Sequence, residues 1–153
     1  MSRKRCKRKV WNLVNPIQHA MLGAAVTQES HLDQLRIREL MAIEAFAKGH
    51  ATKDDWRSLA DMLNITETLA TSGVAPEALQ PCQQAQQALS NAHGRHKGGK
   101  SLGFTGPELQ AIRDAYEYHD LQRQSISRSE YEGAIKKTAD RIRSAHPDLK
   151  VYA

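Results

Sequence analysis

The sequence predicts an all-α protein, a compact antiparallel bundle of about five to six helices carrying a basic N-terminal arm, and three observations lead there. Ala and Leu number 34 against 13 Val and Ile, and only eight of the 153 residues are aromatic, a mix that fills helices rather than sheets. Capping residues recur just ahead of stretches whose apolar side chains keep helical spacing. Connections between those stretches are mostly a few residues long, and short links make consecutive helices run back against one another.

The elements follow in order. Asn15 and Pro16 open a first helix over residues 16–26, because Asn accepts from the free amides and Pro has no donor to leave unpaired. Ser30 caps a second helix with a wide stripe of Leu32, Leu35, Ile37, Leu40, Met41, Ile43, Phe46 and Ala47, which reads as the central helix and is stopped by Gly49. Thr52 caps a third, with Asp54 and Asp55 set against the positive end of the helix dipole and Trp56, Leu59, Met62, Leu63, Thr66, Leu69 and Ala70 inward as far as Gly73. Pro76 opens a fourth, with Leu79, Cys82, Ala85, Gln86 and Leu89 on one side and Gly94 as its end. Residues 94–103, GRHKGGKSLG, then read as a flexible basic loop. Thr105 and Glu108 form a capping box for a fifth helix bearing Pro107, Leu109, Ile112, Tyr116 and His119. Ser127 and Glu130 repeat the box for a sixth bearing Tyr131, Ala134, Ile135, Thr138 and Ile142, ended by His146 and Pro147. The bundle so defined spans residues 15–146, between an arm at 1–14 and a short tail at 147–153.

Charge is unevenly placed. Arg3, Lys4, Arg5, Lys7, Arg8 and Lys9 carry six positive charges with no acid among them, so the net +5 of the whole chain leaves residues 10–153 at −1. Arg95, Lys97 and Lys100 make a second acid-free group. Like charges repel and do not pack, so the arm is expected to be disordered until it meets a polyanion, and both groups are candidate contacts to nucleic-acid phosphate. A solubilising tail is the competing explanation of the arm. The longest apolar or glycine run, 20–26, falls far short of the ~20 residues a membrane-spanning helix needs, and Asn12, Asn15, Pro16, Gln18 and His19 interrupt any secretory leader, so a cytoplasmic protein is expected.

Several patterns invite chemistry and are better explained without it. Gly94, Gly99, Lys100 and Ser101 satisfy the phosphate-loop spacing, but a polar helix precedes them where that motif needs a buried strand. Residues 56–74 resemble a helix-turn-helix at Leu59, Ala60, Leu63, Asn64, Ile65 and Thr66, yet the apolar positions hold one unbroken helical phase and Thr66 to Ser72 carries no Arg or Lys to read bases. His93 and His96 lack two further ligands for zinc. His119, beside Asp120, is expected as a hydrogen-bonded, partly buried imidazole. Cys82 reads as a core hydrophobe and Cys6, among cations, as a reactive thiol without a catalytic partner. No enzyme, cofactor or metal is expected.

The segments RKRCKRK, Asn15-Pro16-Ile17, LADMLNITETLATSGV, and Thr105-Gly106 leading to ELQAIRDAYEYHD together resemble a family of small helical proteins of proteobacterial phages, prophages and plasmids. That resemblance implies no catalytic residue. It implies a mobile-element setting, in which proteins of this size commonly bind a host machine. The expectation is therefore a non-enzymatic accessory or inhibitory protein that docks on a host protein or nucleoprotein complex through a helical face, with the arm on phosphate. Trp11 is the candidate anchor for the partner, or else a staple of the arm to this protein's own core. A DNA-binding regulator using residues 56–74 is the alternative.

Overall fold

The computed structural model describes residues 29–146; the basic arm, the expected helix at 16–26 and the tail lie outside the described residues. The described residues form five α-helices and no strand: α1 Glu29–Ala47, α2 Lys53–Thr71, α3 Leu79–Lys97, α4 Gly106–Ser125 and α5 Arg128–Ala145, with a 3-10 turn at Pro76–Ala78 ahead of α3.

The starts are fixed locally. At α2 the Asp55 carboxylate accepts from the Thr52 backbone N–H at 2.7 Å while the Thr52 hydroxyl accepts from the Asp55 N–H at 3.3 Å. Ser127 and Glu130 make the same reciprocal pair at α5, at 2.8 and 3.2 Å. Glu108 accepts from the Thr105 N–H at 2.9 Å at α4. Each box satisfies donors that a helix leaves unpaired in its first turn.

Pairs between helices give the topology. Cys82 meets Leu63 and, further along α3, His93 packs against Trp56 nearer the start of α2, so α3 runs antiparallel to α2. Thr138 meets Thr68 and Arg141 meets Asn64, so α5 does too. The short connection 48–52 together with the Arg38–Ser58 hydrogen bond sets α1 antiparallel to α2. The main core gathers Ala42, Ile43, Phe46, Leu59, Met62, Leu63, Cys82, Ala85, Leu89, Leu102, Ile112 and Ala115. A smaller cluster of Leu69, Ile126 and Ala134 lies under α5.

Three expectations need correction. The central helix is α2, which packs against each of the other four, and not α1. The wide stripe of α1 is only partly used: Ile37, Leu40 and Met41 are 57%, 47% and 66% exposed, while Glu39 is buried. The fourth helix does not open at Pro76, where Ala75 turns left-handed at φ +47° into a 3-10 turn, and it does not stop at Gly94. It continues to Lys97, with Gly98 capping, because nothing about Gly94 forces a turn and Arg95 finds partners that hold the last turn in place. The basic connection is therefore 98–105, and Arg95, His96 and Lys97 stand at the negative end of the α3 dipole, where cations are favoured.

Candidate interaction surfaces

The first surface lies where α1 and α3 end and α4 begins. Arg95 donates from Nη1 to Glu108 Oε1 at 2.8 Å and from Nη2 to Glu108 Oε2 at 2.6 Å and to the Gly103 carbonyl at 3.0 Å. This bidentate pair ties the end of α3 to the start of α4 and lowers the Glu108 carboxyl below its usual range, chiefly through the Arg95 hydrogen bonds. The connection is also sewn to α1: the Phe104 N–H donates to the Phe46 carbonyl at 3.3 Å and the two rings stack at 4.2 Å. A Cβ at position 103 would come within 3.1 Å of the Gly49 Cα and 3.2 Å of the Phe46 carbonyl oxygen, so any side chain there would press the connection away from α1 by a few tenths of an ångström. Between these segments is a recess of about 310 Å³ lined by Phe46, Lys48, Gly49, Arg95, Lys100, Ser101, Phe104 and neighbours.

The second surface is a groove of about 570 Å³ floored by α2 and walled by α1 and α5. Leu35, Met62, Ile65, Ile135, Ala139 and Ile142 make it mostly apolar, and Arg38, Asp61, Asp140 and Arg143 stand around it. It stays open because α5 packs on α2 and not on α1, which leaves Ile135 of the predicted stripe 41% exposed. Arg38 and Asp61 stand 4.0 Å apart on the groove's rim, with both side chains more than half exposed.

Behind the groove wall lies a buried polar network. Arg123 donates twice to Glu39, at 2.9 and 2.8 Å, and once to Asp120 at 3.1 Å; Asp120 also accepts from Arg36 Nε at 2.9 Å. His119 is fully buried, not partly. The Thr66 hydroxyl donates to the Met62 carbonyl at 2.8 Å, so at 2.9 Å from His119 Nδ1 its oxygen accepts, and Nε2 accepts from the Tyr131 hydroxyl at 3.2 Å. The ring is thus the neutral Nδ1–H tautomer, and burial with Arg123 nearby takes its pKa down to about 3. Both carboxylate oxygens of Glu39 and both nitrogens of His119 are engaged, so the network organises the interior and offers no idle base.

The other candidates are distributed as follows. Lys97 and Lys100 are exposed at the end of α3 and in the connection, whereas Arg95 is ion-paired. Arg3, Lys4, Arg5, Lys7, Arg8, Lys9 and Trp11 lie outside the described residues. His93 and His96 point to different partners: His93 packs 5.5 Å from the Trp56 ring, and His96 Nδ1 donates to the Lys100 carbonyl at 2.9 Å. Residues 53–71 are one continuous helix, without the turn near Asn64 that a helix-turn-helix requires. Cys82 is buried, its thiol donating to the Leu63 carbonyl at 3.1 Å. Glu39, Arg123, Arg36 and Lys48 escaped sequence reasoning. The available signal was spacing: Arg36 with Glu39, and Asp120 with Arg123, sit three apart on faces otherwise read as apolar or solvated.

No helix among the described residues is long and apolar enough to cross a membrane. The chain matches no protein-family model, no curated protein and no solved structure.

Proposed function

We propose that this is a non-enzymatic interaction protein, an accessory factor of a mobile genetic element that works in the cytoplasm by docking on a host nucleic-acid-containing complex, its cations on phosphate. The placement of charge carries the reading. An acid-free arm supplies six cations, the rest of the chain is near neutral, and the exposed Lys97 and Lys100 stand at one end of the bundle while the charge of Arg95 is balanced by Glu108. Such cations give affinity without sequence reading, because each phosphate they neutralise releases counterions condensed on the nucleic acid. The groove between α1 and α5 adds apolar surface for the protein part of the partner, and Trp11, two residues past the last arm cation in sequence, is the candidate anchor. The likeness to phage, prophage and plasmid proteins supports the setting.

The deciding experiment is the salt dependence of binding to a labelled RNA strand and a DNA duplex. Each phosphate contact contributes about 0.7 to 0.9 to the log–log slope, so deleting residues 1–9 flattens it more than Lys97→Gln with Lys100→Gln does. Absence of salt-dependent binding by the full chain to either nucleic acid sinks the phosphate role.

A further inference from the structure

We propose that the recess at the shared end of α1, α3 and α4 is a seat for one phosphate group of a nucleic-acid strand, with Lys48 and Lys100 as its cations and the Ser101 hydroxyl as its neutral donor. The seat presupposes that the protein meets nucleic acid and specifies where one phosphate rests.

Two stretches far apart in sequence bring positive charge to this one recess: Lys48 just past α1, and Arg95 with Lys100 in the last turn of α3 and the connection after it. Glu108 takes up Arg95. That pairing leaves Lys48 and Lys100 as the cations a ligand can reach. Lys48 touches Glu44 at 3.0 Å, four residues back on the same helix, with both side chains more than half exposed, a solvent-screened pair that a phosphate readily displaces. Lys100 is exposed and meets no carboxylate among the described residues. A phosphate presents several oxygens around a tetrahedron, which two compact ammonium groups and a hydroxyl can share from different sides.

The walls are already in place. The Arg95 bond to the Gly103 carbonyl, the Phe104 bond to the Phe46 carbonyl and the tight approach of Gly103 to Gly49 hold the connection against α1. Gly49 and Gly99, at φ +73° and +92°, let the backbone turn on either side of the recess. Little ordering is left to be done when the ligand arrives, which favours binding. The pattern Gly94, Gly99, Lys100, Ser101 thus contributes a cation and a hydroxyl from the connection past the end of α3, not the strand-to-helix cradle of a nucleotide hydrolase.

The test uses the full-length chain and the variants Lys48→Gln, Lys100→Gln, their combination, and Lys137→Gln near Ser72 as a control at the other end of α2. Binding to a labelled RNA strand and to a DNA duplex is followed from ~50 to ~200 mM salt. Losing one phosphate contact lowers the slope by about 0.7 for the single strand and about 0.9 for the duplex in the double variant, and leaves the control unchanged. In parallel, inorganic phosphate titrated into the ¹⁵N-labelled protein shifts the amides of Gly49, Lys100, Ser101 and Gly103, and the double variant loses those shifts. If the double variant keeps the wild-type slope while deletion of residues 1–9 flattens it, the seat is wrong and the nucleic-acid reading stands. If the wild type binds neither nucleic acid, that reading is wrong and the seat, which rests on it, falls with it. Shifts at these amides with polyglutamate but not with phosphate overturn the seat in favour of an acidic protein surface.

Discussion

Arg123 and Glu39, 84 positions apart in the chain, meet inside the bundle as a bidentate ion pair in which the Arg123 side chain is 1% exposed and that of Glu39 9%. Burial pushes the Glu39 carboxyl up, against the pull of Arg123. With Asp120 and Arg36 the pair links α1 to α4 through charge where a stripe of leucines would have been the simpler solution. Removing one member of such a pair leaves the other buried without a partner.

Arg123→Met alone is therefore expected to cost about 3–5 kcal/mol, and Glu39→Leu a comparable amount, while the double variant recovers most of the loss. Urea denaturation of the four proteins measures this. Additive losses in the double variant would mean that the two side chains do not depend on each other.

His119 gives a pH prediction. Its folded pKa of about 3 lies below the ordinary 6.5, so between those values the unfolded chain binds a proton that the folded chain refuses. Stability attributable to His119 is fully present above about pH 6.5 and is lost as pH falls toward 3, at up to about 1.4 kcal/mol per pH unit. The groups facing the ring are Thr66, Gln122, Arg123, Asp120, Tyr131 and Glu39. Glu39, with its raised pKa, works in the opposite direction at the acid end. Imidazole ¹⁵N shifts at pH 5 should report the neutral Nδ1–H tautomer; a protonated ring there contradicts the geometry.

The two thiols should separate cleanly. Cys82 is fully buried, and desolvation pushes its thiol up to about 12. Cys6 stands among cations in the sequence, which favours thiolate. Under native conditions a thiol reagent should modify Cys6 rapidly and Cys82 only after denaturant is added, as read by mass spectrometry. Equal rates at the two sites would show that the interior of α3 opens readily.

Gly94 tests the course of α3. It sits inside the helix, and a Cβ built there meets nothing within 4 Å. Gly94→Ala should stabilise the protein by roughly 0.5–1 kcal/mol, since Ala loses less backbone freedom in a helix interior. Destabilisation would mean that the helix turns there after all. Gly99→Ala, at φ +92°, should go the other way.

The sequence by itself determined the all-α class and the starts of α2, α4 and α5, because Thr52–Asp55, Thr105–Glu108 and Ser127–Glu130 each settle a helix start within four residues and need no distant partner. It also located the core side of α2, whose apolar phase is unbroken, and the fate of Cys82. Only the tertiary structure decided which helix is central, since a wide stripe such as that of α1 does not say how much of it neighbours will cover, and Ile37, Leu40 and Met41 remained outside. Only it decided that Glu39 and Arg123 go inside, for a charge is buried when a partner 84 residues away meets it, a condition that local spacing cannot express. The end of α3 belongs to the same class: Gly94 permits either a turn or a helix, and the Arg95 clamp on Glu108 and Gly103, formed across two elements, held the helix through Lys97 and set Lys100 on the same recess as Lys48.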